Sequence, residues 1–354
     1  KIETDTEFWG ATLRQSVFRW DQIVGLKRAD KTVAKAEAVR ESAQQDLIIR
    51  VARRYFVVLG AMDNLEFVQA DKAAIARTLD QAKQRFEVGL IAITDVNEAQ
   101  ARYDQARANV IVAQNRLDDS IESLIEITGE PTGPLADLKP TIVLKPPQPA
   151  SLDEWTATAL ENNPGVISAK YDAEIALKEI ERQDAGDSPA LDLIGSYSID
   201  RTDADAGFDS NDAIIGLQLS IPLYTGGGVQ AATRQARFQY QAAQDVLEQR
   251  RRAVETQVRN AYRGVLASIS RVQALEATRI SGKSALEATE AGFEAGTRTS
   301  VDVLLVQGRQ YEAERNYARS RYDYLINLLE LQRAAGSLTR EDIWQINQWL
   351  ANPT

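Results

Sequence analysis

The chain has 354 residues, 51 acids against 41 bases, a net charge of −10, no cysteine and no histidine. The acid excess opposes a nucleic-acid partner, which favours a basic surface, and the missing thiols exclude disulfides, thiolate metal sites and thiol nucleophiles. The missing imidazoles remove the usual general base and the commonest zinc and iron ligand, so no catalysis, cofactor or metal is expected.

No run of apolar residues reaches the roughly 18 that a membrane-spanning helix needs, and a membrane role would have to rest on amphipathic helices or barrel strands. The opening Lys1-Ile2-Glu3-Thr4 lacks the apolar core of a signal peptide, so the chain reads as mature or truncated material.

In chain order, segment 8–18 aligns with 212–222, pairing Leu13 with Leu217, Ser16 with Ser220 and Val17 with Ile221. From about Asp21 to Phe86 there is no proline, and Ala, Glu, Gln, Arg and Lys dominate. Ile48, Val51, Tyr55, Val58, Met62 and Leu65 step by three and four, which is a heptad seam. A helix of about 65 residues is roughly 100 Å long at about 1.5 Å per residue. Gly89 ends it, in the role of a left-handed cap. A return helix follows over about 94–128.

The stretch 130–150 then holds six of the ten prolines and marks a connector. Segments 190–199 and 213–223 alternate apolar and small or polar residues, as strands do, with an acidic loop from Asp200 to Asp212 between them. A second seam, Val258, Tyr262, Val265, Ile269 and Val272, leads to a cap at Gly296 and a return helix over about 300–335.

The two hairpins are copies. Residues 85–129 and 292–336 align without a gap at an offset of 207, with identities that include Phe86/Phe293, Gly89/Gly296, Asp95/Asp302 and Gly129/Gly336. The halves that this offset defines, about 200 residues each, are too long for a solenoid unit and read as a duplicated domain. The duplication divides the chain into a strand (1–19), a helical hairpin (20–129), a connector (130–165), a helix (166–189), two strands (190–224), a second hairpin (225–336) and a C-terminal segment (337–354). It also implies that a helix and a strand belonging ahead of residue 1 are missing.

Strands of about ten residues with one apolar face fit either a transmembrane barrel or a small soluble sheet on a coiled coil, and the residues alone leave both open. Open sheet edges cannot face lipid, so the membrane alternative requires several protomers sharing one barrel. Asp95 and Asp302 sit just after equivalent turns, where an acid also favours a helix N-terminus.

The turn sequences Arg85-Phe86-Glu87-Val88-Gly89-Leu90-Ile91-Ala92-Ile93-Thr94-Asp95-Val96 and Gly292-Phe293-Glu294-Ala295-Gly296-Thr297-Arg298-Thr299-Ser300-Val301-Asp302-Val303-Leu304 resemble those of the TolC family of outer-membrane efflux and secretion channels. Ile221-Pro222-Leu223-Tyr224-Thr225-Gly226-Gly227-Gly228 and Arg321-Tyr322-Asp323-Tyr324-Leu325-Ile326-Asn327 extend the likeness, which runs along essentially the whole chain.

The resemblance implies a mainly α fold with a small β part. Three protomers would share a twelve-strand antiparallel barrel in the Gram-negative outer membrane, continuous with a hollow coiled-coil α-barrel in the periplasm. A mixed region including 130–165 and 337–354 would gird it. It implies a passive exit duct for efflux or type I secretion, gated at its periplasmic tip. The partners would be a periplasmic adaptor and an inner-membrane pump or ABC exporter, with outer-membrane lipid around the barrel.

By the same resemblance Asp302 would form a constricting acidic ring that favours cations, part of it protonated by mutual repulsion. Leu305 stands where the family has a second acid, which leaves an apolar constriction. Thr94, Asp95, Arg298 and Arg321 would supply polar links that shut the tip, with Asp95 and Arg298 paired between protomers. Phe293 replaces a tyrosine hydroxyl there, weakening the lock by about 1 kcal/mol. Val88, Gly89, Leu90, Gly296 and Thr297 would meet the adaptor.

Two other classes compete. A coiled-coil scaffold would need no detergent, and a hydrolase would need two acids converging on a pocket. The run Asp203-Ala204-Asp205-Ala206-Gly207-Phe208-Asp209 imitates part of a calcium loop but lacks the twelfth-position acid, and reads better as an extracellular loop.

Overall fold

A computed structural model describes residues 5–131, 133–203 and 208–351. The elements run β1 (Asp5–Arg19), α1 (Trp20–Glu87), α2 (Ile93–Thr128), α3 (Leu152–Asn162), α4 (Pro164–Asp184), β2 (Ala190–Asp203), β3 (Phe208–Ser220), α5 (Gly228–Glu294), α6 (Ser300–Ala335) and α7 (Arg340–Asn347). The chain divides into two compact units, one of residues 1–40 and 164–252, the other of 41–163 and 253–354.

The first unit holds an antiparallel sheet in the order β1-β2-β3. Its register puts Leu13, Gly195 and Ile215 in one row, Gln15, Leu193 and Leu217 in the next, and Phe18, Leu191 and Leu219 in a third. Side chains alternate between faces, so these rows share one face. That face is apolar and largely uncovered: Ile215 is 85% exposed and Leu13 and Leu217 are each 68% exposed. Trp9 and Tyr197 meet edge to face on it at 6.1 Å.

The opposite face carries Arg14, Ser16 and Gln218, and Arg19 donates to both carboxylate oxygens of Asp192 at 2.7 and 3.1 Å. The outer edges of β1 and β3 pair with no strand among the described residues.

Two expectations about these strands need correction. The alternation was carried to Leu223, but β3 stops at Ser220, because Pro222 has no N–H for a ladder. The stretch from Asp200 to Asp212 was expected as a loop, but pairing continues through Asp200↔Ser210 and Arg201↔Asp209. The calcium-like run has its centre at 204–207, outside the described residues.

In the same unit α1 and α4 lie antiparallel, joined by Arg28–Glu179 (3.1 Å), Lys31–Glu174 (2.9 Å) and Lys35–Asp172 (2.6 Å). Among the described residues no helix is long and apolar enough to cross a membrane.

The second unit is helical. Its interior is built from Val258, Val265 and Val272 of α5, Phe56, Val58 and Leu59 of α1, and Tyr324, Leu325, Leu329 and Leu331 of α6. The first seam is only half realised. Val58 is buried, while Ile48, Val51, Tyr55, Met62 and Leu65 are half-buried, and the deeper stripe runs one position on through Ile49, Phe56 and Leu59. Ile48, Val51 and Tyr55 instead line a groove of about 610 Å³ opposite Ile343, Trp344, Ile346 and Leu350. A helix that meets neighbours on two sides has no single seam.

The repeat-related tyrosines also do something periodicity did not foretell. Tyr55 donates its hydroxyl to the Ala136 carbonyl at 2.6 Å, and Tyr262 donates to Ala150 at 3.1 Å. Both tie the connector down. A bridge between Leu138 and Leu350 joins the connector to the C-terminal segment.

Candidate functional site

Apart from Arg321, the residues singled out in the sequence lie at or beside two helical turns, both in the second unit. Each turn is a Schellman motif, in which a left-handed residue lets the chain satisfy the last helical carbonyls. At the first, Gly89 has φ +76, its N–H donates to the Phe86 carbonyl at 2.9 Å, and the Leu90 N–H donates to Arg85 at 2.9 Å. At the second, Gly296 has φ +75, its N–H donates to Phe293 at 3.0 Å, and the Thr297 N–H donates to Gly292 at 2.8 Å. A Cβ at either glycine would meet open space, so glycine is needed there for its conformation alone.

The motif turns Val88 and Leu90 outward, where they are 70% and 72% exposed. The Thr297 hydroxyl donates to the Gly292 carbonyl at 3.0 Å.

The return helices begin differently. Thr299 caps α6: its Oγ1 accepts from the Asp302 N–H at 3.2 Å, while Asp302 Oδ2 accepts from the Thr299 N–H and hydroxyl, both at 2.9 Å. This reciprocal box satisfies two orphan donors. The Thr299 backbone N–H, then its hydroxyl, hold the Asp302 carboxyl below the ordinary carboxylate range. At the first turn Ala92 occupies the cap and offers no side chain, so Asp95 has no such partner. Asp302 therefore serves a local structural purpose as well as any wider one. Leu305, one turn on, is 46% exposed.

A cavity of about 290 Å³ between the turns brings together Arg85, Ile91, Asp95, Phe293, Arg298 and Thr299. Thr94 is exposed on the first turn of α2. Among the described residues no ion pair joins Asp95 to Arg298 within one chain.

Phe293 lacks a hydroxyl, yet its ring is engaged, with the Arg85 guanidinium carbon 4.4 Å from its centroid. Gly292 has a steric role in addition to its place in the turn. A Cβ there would come within 2.8 Å of Arg298 Cγ, so the bare backbone leaves room for the Arg298 side chain.

Arg321 stands elsewhere than the resemblance implies. It lies 19 residues beyond Asp302 on the same helix, roughly 28 Å along the axis, so it takes no part in this cluster. Its Nη1 donates to the Lys139 and Pro140 carbonyls at 3.2 and 3.1 Å, and its guanidinium lies over Tyr317. The motif match carried it to the tip, but helix rise puts it beside the connector.

Next to it the Tyr322 hydroxyl donates to Asp63 Oδ2 at 2.7 Å, linking α6 to α1. Burial pushes the Asp63 carboxyl up, against the Tyr322 hydrogen bond, and pushes Tyr322 up as well. No sequence signal marked this pair, because its members are 259 residues apart. Among the described residues no group of three or more acids gathers in a way that could hold a metal.

The family model described as outer membrane efflux protein matches residues 4–130 and 155–337. The outer membrane protein TolC of Vibrio cholerae is 41% identical over 353 residues, covering 98% of this chain and 81% of that protein. The alkaline protease secretion protein AprF of Pseudomonas aeruginosa is 30% identical over 340 residues, covering 94% of this chain and 70% of that protein. The crystal structure of the Campylobacter jejuni CmeC outer membrane channel superposes with a TM-score of 0.79 at 14% identity, covering 98% of this chain and 80% of that one. At that identity the likeness speaks for the fold alone.

Proposed function

Since the chain belongs to the outer membrane efflux protein family, we propose that three copies share one β-barrel and form a passive outer-membrane exit duct, extending into the periplasm and gated at the two helical turns. The duct serves an efflux or type I secretion system, in keeping with relatives named for outer-membrane location and for protease secretion.

The observation that carries this reading is the sheet of the first unit. Its apolar face is exposed across all three strands, and both of its edges are open. Unpaired backbone groups cannot face lipid, whereas a closed barrel has no edge. Copies of the chain that pair edge to edge satisfy both demands at once, with Trp9 and Tyr197 as interfacial aromatics.

On this reading Asp302 projects toward the symmetry axis and forms an acidic ring, with Leu305 as an apolar ring one turn away. Asp95 and Arg298 pair between neighbours, with Thr94 beside them. Val88, Gly89, Leu90, Gly296 and Thr297 meet a periplasmic adaptor, which connects the duct to an inner-membrane pump or ABC exporter. The segments 130–165 and 337–354 form the girdle. The duct performs no chemistry of its own.

Single-channel conductance in a planar bilayer under a salt gradient tests the reading. Small, steady, cation-favouring currents are expected. Protein that is inserted, intact and silent would overturn it in favour of a coiled-coil scaffold.

A further inference from the structure

The ends of α1 and α5 approach each other across loosely filled space. The 290 Å³ cavity between the turns and a second of about 730 Å³ beside it share Thr78, Arg85, Phe293 and Ser300 in their linings, so Arg85 and Phe293 belong to the partition between them. Among the described residues no hydrogen bond or ion pair joins segment 78–95 to segment 286–302.

Apolar packing between the hairpins lies farther from the turns. Leu79, Ala82, Val96 and Ala99 with Ile91 form a cluster inside the first hairpin, and the second hairpin contributes Leu304 to a neighbouring cluster with Ile75 and Ala106. Closer to the turns the directional contact is Arg85 over the face of Phe293, with 4.4 Å from guanidinium carbon to ring centroid. That is well inside the roughly 6 Å within which a cation is attracted to the ring quadrupole. Arg85 is half-buried, one turn before the left-handed Gly89, and Phe293 stands three residues before Gly296. Both sit on the last rigid turn of their helix.

We propose that Arg85 and Phe293 form a cation–π latch that fastens the end of one hairpin to the end of the other, and that its release is a step in opening the duct. Arg85 and Phe293 are positioning residues: they set the distance between the turns and touch no cargo. The proposal rests on the duct reading above. Phenylalanine suffices at 293 because the latch uses the ring face and needs no hydroxyl.

The test compares the full-length protein with Arg85→Gln, Phe293→Leu, the double variant and Arg85→Lys, by hydrogen exchange and by conductance. Arg85→Gln and Phe293→Leu should each speed amide exchange in segments 78–95 and 286–301 about two- to five-fold, the range set by an exposed cation–π contact. The double variant should exchange no faster than the faster single one, because one contact can be lost only once. Arg85→Lys, which keeps the cation, should lie between the native chain and Arg85→Gln.

Resting conductance should rise in the same order. Unchanged exchange in both single variants, or a double effect equal to the product of the singles, would refute the latch. Exchange that follows the expected order in protein that is inserted but silent would leave the contact standing and overturn its part in opening, together with the duct reading.

Discussion

Gly129 and Gly336 occupy equivalent places in the two repeats, and replacing each by alanine separates local from tertiary demands. Both follow the last residue of a return helix, and both are left-handed, with φ +78 and +72. The conformational penalty for a Cβ in that region, about 1–2 kcal/mol, is therefore common to both.

The surroundings differ. A Cβ on Gly129 would meet nothing within 4 Å, whereas one on Gly336 would lie 2.4 Å from the Asn162 carbonyl oxygen, 2.6 Å from its carbon and 2.7 Å from the Asn163 Cα. These are backbone atoms, and they are anchored: Asn163 Nδ2 donates to the Ala334 carbonyl at 2.9 Å. Relief requires α3 to move from α6, an overpacking cost of about 1–3 kcal/mol on top of the conformational one. The urea midpoint of detergent-solubilised protein, followed by circular dichroism, should fall modestly for Gly129→Ala and clearly further for Gly336→Ala. Equal losses would refute the argument that packing against α3 sets the difference.

Asp302→Asn should move cation selectivity of the duct toward none. Within one chain hydrogen bonds from Thr299 hold the carboxyl low, which opposes the mutual repulsion of the ring, and its charge is lost as pH falls through the carboxyl's own value. Thr299→Ala should therefore shift the loss of selectivity to higher pH, read as reversal potential against pH. Leu305→Asp should restore a second acidic ring and strengthen block by multivalent cations, measured as the concentration that halves the current. For Asp63 the sign is opposite. A carboxyl pushed up by burial contributes stability that is full below its unfolded value and is lost as pH rises through the raised one. Asp63→Asn, which can still accept from Tyr322, should flatten the melting temperature over that window.

Much of the helical architecture was legible because its causes are local. Heptad spacing, the long stretch without proline and the glycines at 89 and 296 mark helices and their ends within a few residues of sequence, and the offset of 207 doubles each signal. The strand limits were less legible, since pairing partners on another strand extended β2 and β3 toward each other. At the turns, Asp302 was recognisable as a first-turn acid, but its locked partnership with Thr299 was not distinguished from the bare cap beside Asp95. Arg321 was misplaced because a motif match carries no distance along a helix.

The sequence by itself determined the repeat, the long helices and their left-handed caps, since periodicity and glycine's conformational freedom act over a turn or two of chain. Only the tertiary structure decided that Tyr55 and Tyr262 tether the connector, that Tyr322 finds Asp63, that Arg85 covers Phe293, and that of two equivalent glycines one is crowded and the other is not. Each of these depends on residues distant in sequence meeting at hydrogen-bond or van der Waals range, and no local pattern encodes which pairs will meet.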